Sequence, residues 1–355
     1  MADQDTPASV PAQGGAPNPS QLFPFPLDDF QLEAIDALNQ GHSVVVSAPT
    51  GSGKTLVGEY AIHRAMAHGQ KVFYTTPLKA LSNQKLRDFR EQFGAENVGL
   101  MTGDLSVNRD ASIVVMTTEI FRNMLYAEAD EHDDPLADVE AVVLDECHYM
   151  NDSQRGTVWE ESIIHSPPPV QLVALSATVA NAGQLTDWIE KVHGPTTLVL
   201  SDFRPVPLHF GFCSAKGLHP LLNEQGTGLH PNCKVWRAPK GHKRKGRSPR
   251  PPQPEPPPIS FVVAQMAERD MLPAIYFIFS RRGCDKAVRD LGVQCLVNEV
   301  EQARIREQLM AYTSANPEAV RDGLHADALL RGIAAHHAGV LLSLIHISEP
   351  TRPYW

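Results

Sequence analysis

The run Val44-Val-Val-Ser47, followed directly by Ala48-Pro-Thr-Gly-Ser-Gly-Lys54-Thr55, constrains this chain more than any other stretch. A short apolar β-rich run, a glycine-bearing turn and an amphipathic stretch from Thr55 to Ala67 give strand, loop and helix in the order a phosphate-binding loop requires. Gly51 and Gly53 let backbone N–H groups converge on phosphate oxygens, with Ala48, Thr50 and Ser52 completing the loop. The helix start adds positive potential, Lys54 can reach the outer phosphates, and Thr55 can hold Mg²⁺. Ala48 stands where the general pattern begins with glycine.

Apolar β-rich runs recur at Val72–Thr75, Ser112–Met116, Ala141–Leu144 and Gln171–Leu175, separated by helix-length stretches such as Leu78–Phe93. Continuous apolar strands between helices indicate an α/β fold with a parallel sheet covered on both faces, spanning residues about 25 to 210. Upstream, Asp28 can cap a helix with Phe30, Ala34, Ile35 and Leu38 on one face. The run ending Val142-Val-Leu-Asp145-Glu146-Cys147-His148 delivers two carboxylates to the C-terminal edge of that sheet, where ligands bind in open parallel sheets. Asp145 is suited to hold Mg²⁺, and Glu146 to orient and deprotonate an attacking water.

Net charge is −10, which repels nucleic acid in bulk, so contact with it must be local. Eight basic residues from Lys234 to Arg250 crowd one segment, which reads equally as a phosphate-binding arm or a solubilising linker. No run of about 20 apolar residues marks a membrane span, and the first 20 residues lack the blocks of a signal peptide. Five scattered cysteines show neither disulfide nor zinc spacing, and a reducing cytoplasm is expected. Adjacent His336 and His337 point apart and lack a completing ligand set, so no metal is expected there.

Taken together, the Ala48–Thr55 loop, Asp145-Glu-Cys-His148 and Ser176-Ala-Thr178 resemble the first three motifs of the DExH-box helicases of superfamily two. Phe25-Pro-Leu-Asp-Asp-Phe-Gln31, Thr76-Pro-Leu-Lys79-Ala-Leu-Ser-Asn-Gln84, Met101-Thr-Gly-Asp104 and Thr117-Thr-Glu119 narrow the resemblance to superkiller-like (antiviral helicase) RNA helicases. It extends to Phe277-Ile-Phe-Ser280-Arg281 and Ile333-Ala-Ala-His336-His337-Ala-Gly339. The resemblance implies ATP and Mg²⁺ as cofactors, two RecA-like domains and an RNA partner, with DNA the lesser alternative and no membrane. Gln31 would read the adenine edge, with Phe23 or Phe25 near the ring. His148, Ser176 and Thr178 would couple the phosphate site to nucleic acid. Thr76, Lys79, Asn83, Gln84, Gly103, Thr117 and Glu119 would lie along the nucleic-acid backbone, which such polar contacts bind without regard to sequence. An RNA-processing or degradation complex is a further implied partner. A DNA helicase and a non-unwinding ATP-dependent clamp stay open as readings.

The expected organisation is a disordered tail over 1–22, an ATP-binding RecA-like domain over 23–212 and a basic, Pro-rich linker over 213–258. Part of a second RecA-like domain follows over 259–341, opening with a strand at Ala274–Phe279 and helices near Arg282–Leu291 and Glu299–Tyr312. That last span is about half of the roughly 150 residues such a domain needs, so the chain reads as truncated and impaired. Leu342–Arg352 reads as an in-frame translation of a sequencing-library adapter, making 342–355 a non-native tail.

Overall fold

A computed structural model describes residues 16–126, 136–233, 256–315 and 326–336. Two compact units divide between Pro207 and Leu208. The basic segment from Lys234 to Arg250, the 342–355 tail and His337 lie outside the described residues.

In the first unit the helices are α1 (Pro19–Leu22), α2 (Asp29–Asn39), α3 (Thr55–His68), α4 (Lys79–Phe93), α5 (Thr118–Tyr126), α6 (Gly156–His165) and α7 (Ala182–Val192). The strands are β1 (Ser43–Ser47), β2 (Lys71–Thr76), β3 (Val98–Met101), β4 (Ser106–Val107), β5 (Ile113–Thr117), β6 (Val139–Leu144), β7 (Gln171–Ser176) and β8 (Thr196–Leu200). They form one sheet in the order β4-β3-β5-β2-β6-β7-β1-β8, parallel throughout except for β4, which runs against β3. The apolar runs of the sequence therefore become strands within a residue or two of where their patterns place them. Alternation along each strand divides the core into two layers. Val44, Val46, Tyr74 and Val143 face α2, α3 and α4 with Leu38, Tyr60 and Phe89, whereas Val45, Phe73, Val142 and Leu144 face α5, α6 and α7 with Phe121, Trp159 and Ile189.

The tail ends earlier than residue 22. Asn18 caps α1 by accepting from the Ser20 N–H, the Tyr60 hydroxyl donates to the Pro17 carbonyl at 3.1 Å, and Phe23 is buried in the core. One apolar anchor and one buried hydroxyl suffice to hold this short stretch.

The second unit contains a hairpin of β9 (Gly211–Ser214) and β10 (Gly217–Pro220), followed by α8 (Ile259–Ala267), α9 (Arg281–Asp290), α10 (Glu299–Ala315) and α11 (Ala326–Leu329). The hairpin corrects the linker assignment at its start, because Phe212↔His219 and Cys213↔Leu218 pair across a tight turn. The helices at α9 and α10 match the sequence pattern. The strand expected at Ala274–Phe279 is not formed: these residues lie outside every assigned strand, and Ile275, Phe277 and Phe279 are 82%, 81% and 103% exposed. No strand among the described residues lies beside them, and an apolar run without a pairing partner gains neither ladder hydrogen bonds nor cover. Likewise no parallel pair occurs among the described residues of this unit.

At the N-terminal ends of the strands, Arg64 on α3 ties three elements together. Its guanidinium donates to the Leu38 carbonyl closing α2, to Glu140 on β6 at 2.5 Å and to Gln171 opening β7, with both charged side chains at most 11% exposed. Removing one member of a buried ion pair leaves the other unmatched, at about 3 to 5 kcal/mol. Arg64→Ala should lower unfolding stability by about that amount in urea titration, and Glu140→Gln, which retains a hydrogen bond, should lower it less.

Candidate functional site

Strands β5, β2, β6, β7 and β1 lie side by side and in parallel, so their C-terminal ends place Thr117, Thr76, Asp145, Ser176 and Ala48 along one edge. Only β7 separates the loop after β1 from the acidic pair after β6. The Ala48 N–H donates to the Ser176 carbonyl at 3.2 Å, and the Asp145 N–H to the Thr75 carbonyl at 3.0 Å, fastening each loop to a neighbouring strand end.

Within the loop, Gly51 and Gly53 have φ of +84° and +82°, a region in which L side chains are strained. A Cβ at Gly53 would meet Gln31 Nε2 at 2.8 Å. Gln31 is buried; its Nε2 donates to the Gly53 carbonyl at 3.0 Å and its Oε1 accepts from the Asp28 N–H at 2.9 Å. The expected base-reading glutamine is thus a brace between α2 and the phosphate loop, with one amide N–H and one lone pair left over. Phe23 is core, whereas Phe25, its ring centroid 6.1 Å away, is 52% exposed and available to stack. Rings continue in series from Phe23 through His63, Phe93 and Phe89 to Tyr74, with centroid separations of 4.9 to 6.0 Å. Thr50 is exposed, and the buried Ser52 hydroxyl has no hydrogen-bond partner among the described residues.

Lys54 is 7% exposed and has no carboxylate within ion-pair distance among the described residues. A buried ammonium without a counter-ion is costly, and this one lies in a cavity of about 130 Å³ lined by Lys54, Thr55, Leu81, Gln84, Lys85, Asp145 and Glu146.

Asp145 is held at both oxygens: Oδ2 accepts from the Tyr74 hydroxyl at 2.8 Å and Oδ1 from the Glu146 N–H at 2.9 Å. Burial first, then the Asp145 charge, holds the Tyr74 hydroxyl well above its ordinary pKa, so it stays a donor. Glu146 adopts φ 53° and ψ 42°, a left-handed conformation costing about 1 to 2 kcal/mol in a side-chain-bearing residue. Its carboxylate lies 3.3 Å from His148 Nδ1, and the Ala177 N–H lies 3.4 Å from the same nitrogen. That nitrogen can accept from Ala177 or donate to Glu146, but not both, so His148 connects the acid to the end of β7. Ser176 Oγ donates to the Ala177 carbonyl at 2.8 Å, and Thr178 is exposed.

Residues expected on the nucleic-acid side separate into groups. Thr76 and Thr117 are buried, and Thr76 Oγ1 lies 2.8 Å from Ser82 Oγ, so the Thr76 hydroxyl serves the framework. Exposed Lys79 pairs with Asp104 beside Gly103, and Asn83 is exposed nearby on α4. Gln84 lines the phosphate cavity instead. Glu119 is engaged by Arg155, whose guanidinium also donates to the Pro77 carbonyl at 2.6 Å and lies 5.9 Å over the Trp159 ring. An unpaired carboxylate there would repel a phosphate backbone; the ion pair removes that repulsion. Sequence reasoning missed Tyr74, Lys85 and Arg155, although a polar-tipped ring inside an apolar strand marks Tyr74.

Two outcomes follow. Arg155→Ala should cost about 1 kcal/mol and raise amide hydrogen exchange at Thr76–Leu78 and Thr117–Glu119 together; unchanged exchange would refute the fastening role. Burial pushes the Cys147 thiol up to about 12, so it stays protonated through neutral pH. A thiol reagent at pH 8 should label exposed Cys295 in the folded chain and leave Cys147 unmodified until unfolding.

Residues 28–185 match the DEAD/DEAH box helicase family. The chain is 44% identical to a chloroplastic DExH-box ATP-dependent RNA helicase of Arabidopsis thaliana over 90% of this chain and 30% of that protein. It is 48% identical to the antiviral helicase SKI2 of Saccharomyces cerevisiae over 61% of this chain and 17% of that protein. With the exosome RNA helicase MTR4 of Mus musculus it shares 38% identity over 96% of this chain and 33% of that protein. The chain spans 17% to 33% of the length of these curated relatives. Residues 28–185 form a DEAD/DEAH box helicase domain, and the homologues of the chain include DExH RNA helicases of the superkiller and exosome-helicase type.

Proposed function

We propose that this chain supplies the ATP-hydrolysing part of an ATP-dependent RNA helicase that translocates on and unwinds RNA, with residues 23–212 as its first RecA-like domain and 259–341 as part of a second. The observation that carries the reading is the buried Lys54 side chain, with no carboxylate in ion-pair contact among the described residues, lining one small cavity together with Asp145 and Glu146. A nucleotide polyphosphate is the anion that loop, charge and cavity fit. The orphan Ser52 hydroxyl in the same loop supports this fit.

Phosphate oxygens bind the loop amides and Lys54, which offsets charge building toward the leaving group. Glu146 orients water and takes its proton, and His148 conveys the state of that carboxylate to the end of β7 through Ala177. Thr55 and Asp145 would hold Mg²⁺, which neutralises phosphate charge when bound. Phe25 is placed for the base, and the free N–H and lone pair of Gln31 suit an adenine edge. Lys79 and Asn83, exposed on α4, would meet the nucleic-acid backbone. The printed names of the relatives support RNA over DNA, and that of the mouse relative supports work beside an RNA-degradation complex. Five cysteines without disulfide spacing fit a reducing compartment such as the cytoplasm; no helix among the described residues is long and apolar enough to cross a membrane.

Because the chain matches only about a third of these relatives, turnover is measured in this chain and in a protein that spans their full length. Glu146→Gln there should bind ATP as before but lose about 10²- to 10⁴-fold in hydrolysis rate, the usual contribution of a positioned base. Unchanged steady-state turnover in that variant would overturn the assignment.

A further inference from the structure

The mechanism above leaves one cation of the cavity without a role. Lys85 lies two turns into α4, with its ammonium 5.4 Å from the centre of the Tyr74 ring and 5.5 Å from that of Phe89. Those rings meet edge to face at 5.0 Å and are themselves buried, so they form a fixed platform under the lysine. Cation–π contact of this kind holds an ammonium in place without neutralising it. Like Lys54, Lys85 has no carboxylate within ion-pair distance among the described residues, although Asp145 and Glu146 line the same cavity. Asp145 and Glu146 are engaged by Tyr74 and His148 while neither ammonium is in ion-pair contact among the described residues, so the two lysines offer this cavity of about 130 Å³ charge-assisted donors suited to an anion.

The position of the space identifies which part of the anion. Thr55, Asp145 and Glu146 are the residues of the hydrolytic end, whereas Phe25 and Gln31, suited to the base, do not line the cavity. Lys85 also stands on the face of the ring whose hydroxyl orients Asp145. We propose that Lys85 is a second phosphate-contacting cation, one that binds the terminal phosphate of a nucleoside triphosphate opposite Lys54. This rests on the nucleotide-site reading of the same cavity. It gives α4 two tasks, since Lys79 and Asn83 on the same helix are exposed for the nucleic acid. A terminal phosphate and a polynucleotide would then bind one rigid helix.

The test is direct binding of a non-hydrolysable ATP analogue and of ADP, each with Mg²⁺, to the 355-residue chain by calorimetry. The chain is compared with its Lys85→Met and Lys85→Arg variants, with melting curves to verify folding. Methionine keeps an apolar stem over the two rings and removes the charge. Losing one charge-assisted contact should weaken the triphosphate about tenfold or more in Lys85→Met, leave ADP within about twofold, and be largely restored in Lys85→Arg. Equal weakening of both nucleotides would assign Lys85 to the shape of the cavity alone and overturn the proposal. Unchanged binding of both would also overturn it, while leaving the nucleotide site intact. An unaltered chain that binds neither nucleotide would remove the nucleotide-site reading and this proposal with it.

Discussion

Parallel strands buried on both faces can carry chemistry only at their ends. The central side chains of β1, β6 and β7, from Val44 to Val46, Ala141 to Leu144 and Leu172 to Leu175, are committed to one packed layer or the other, and these strands pair with their neighbours. Polar function is therefore displaced to the first residues beyond each strand, and strand order decides which of these meet. Here the order β5-β2-β6-β7-β1 sets a phosphate loop one strand away from an acidic pair, with Ser176 between them. The opposite edge has a different task. Arg64, Glu140 and Gln171 close it with a buried polar knot that fixes strand starts and leaves the far ends free to diverge into loops.

The acidic turn shows how such ends are held. Asp145 receives a hydroxyl from the neighbouring strand and an amide from its own successor, so its remaining lone pairs aim into the cavity. Glu146 is turned by an unfavourable backbone conformation, which persists because both flanking residues are buried. Strain of this size is expected where the direction of a side chain matters more than local stability.

The first unit was largely legible because its signals are local and agree with one another. Apolar runs, a capping aspartate before α2 and a glycine turn before α3 each specify a neighbourhood of a few residues. The site was legible where motif and strand end coincide, as at Lys54 and Asp145. It was not legible where contacts join distant segments: Arg155 reaches Glu119 on α5 and Pro77 beyond β2 only after the chain has folded back on itself, and Lys85 on α4 gains its place from Tyr74 on β2. Helical phase also separates Asn83 from Gln84 and Lys85, which line the cavity beside Lys54, and a shared motif does not reveal this. The failed strand at Ala274–Phe279 has the converse cause: its local pattern is sound, and pairing is a property of neighbours.

The file of rings from Phe25 to Tyr74 passes through one group that can take up a proton. His63 sits between Phe23 and Phe93, and burial lowers its pKa below the ordinary histidine value of 6.5. The folded wall thus prefers the neutral imidazole, whereas the unfolded chain accepts a proton as soon as pH falls to its unperturbed range. Stability from this group is complete above about 6.5 and is lost progressively as pH drops below it. The span between Phe25 and the hydroxyl that orients Asp145 therefore weakens at its midpoint in mild acid.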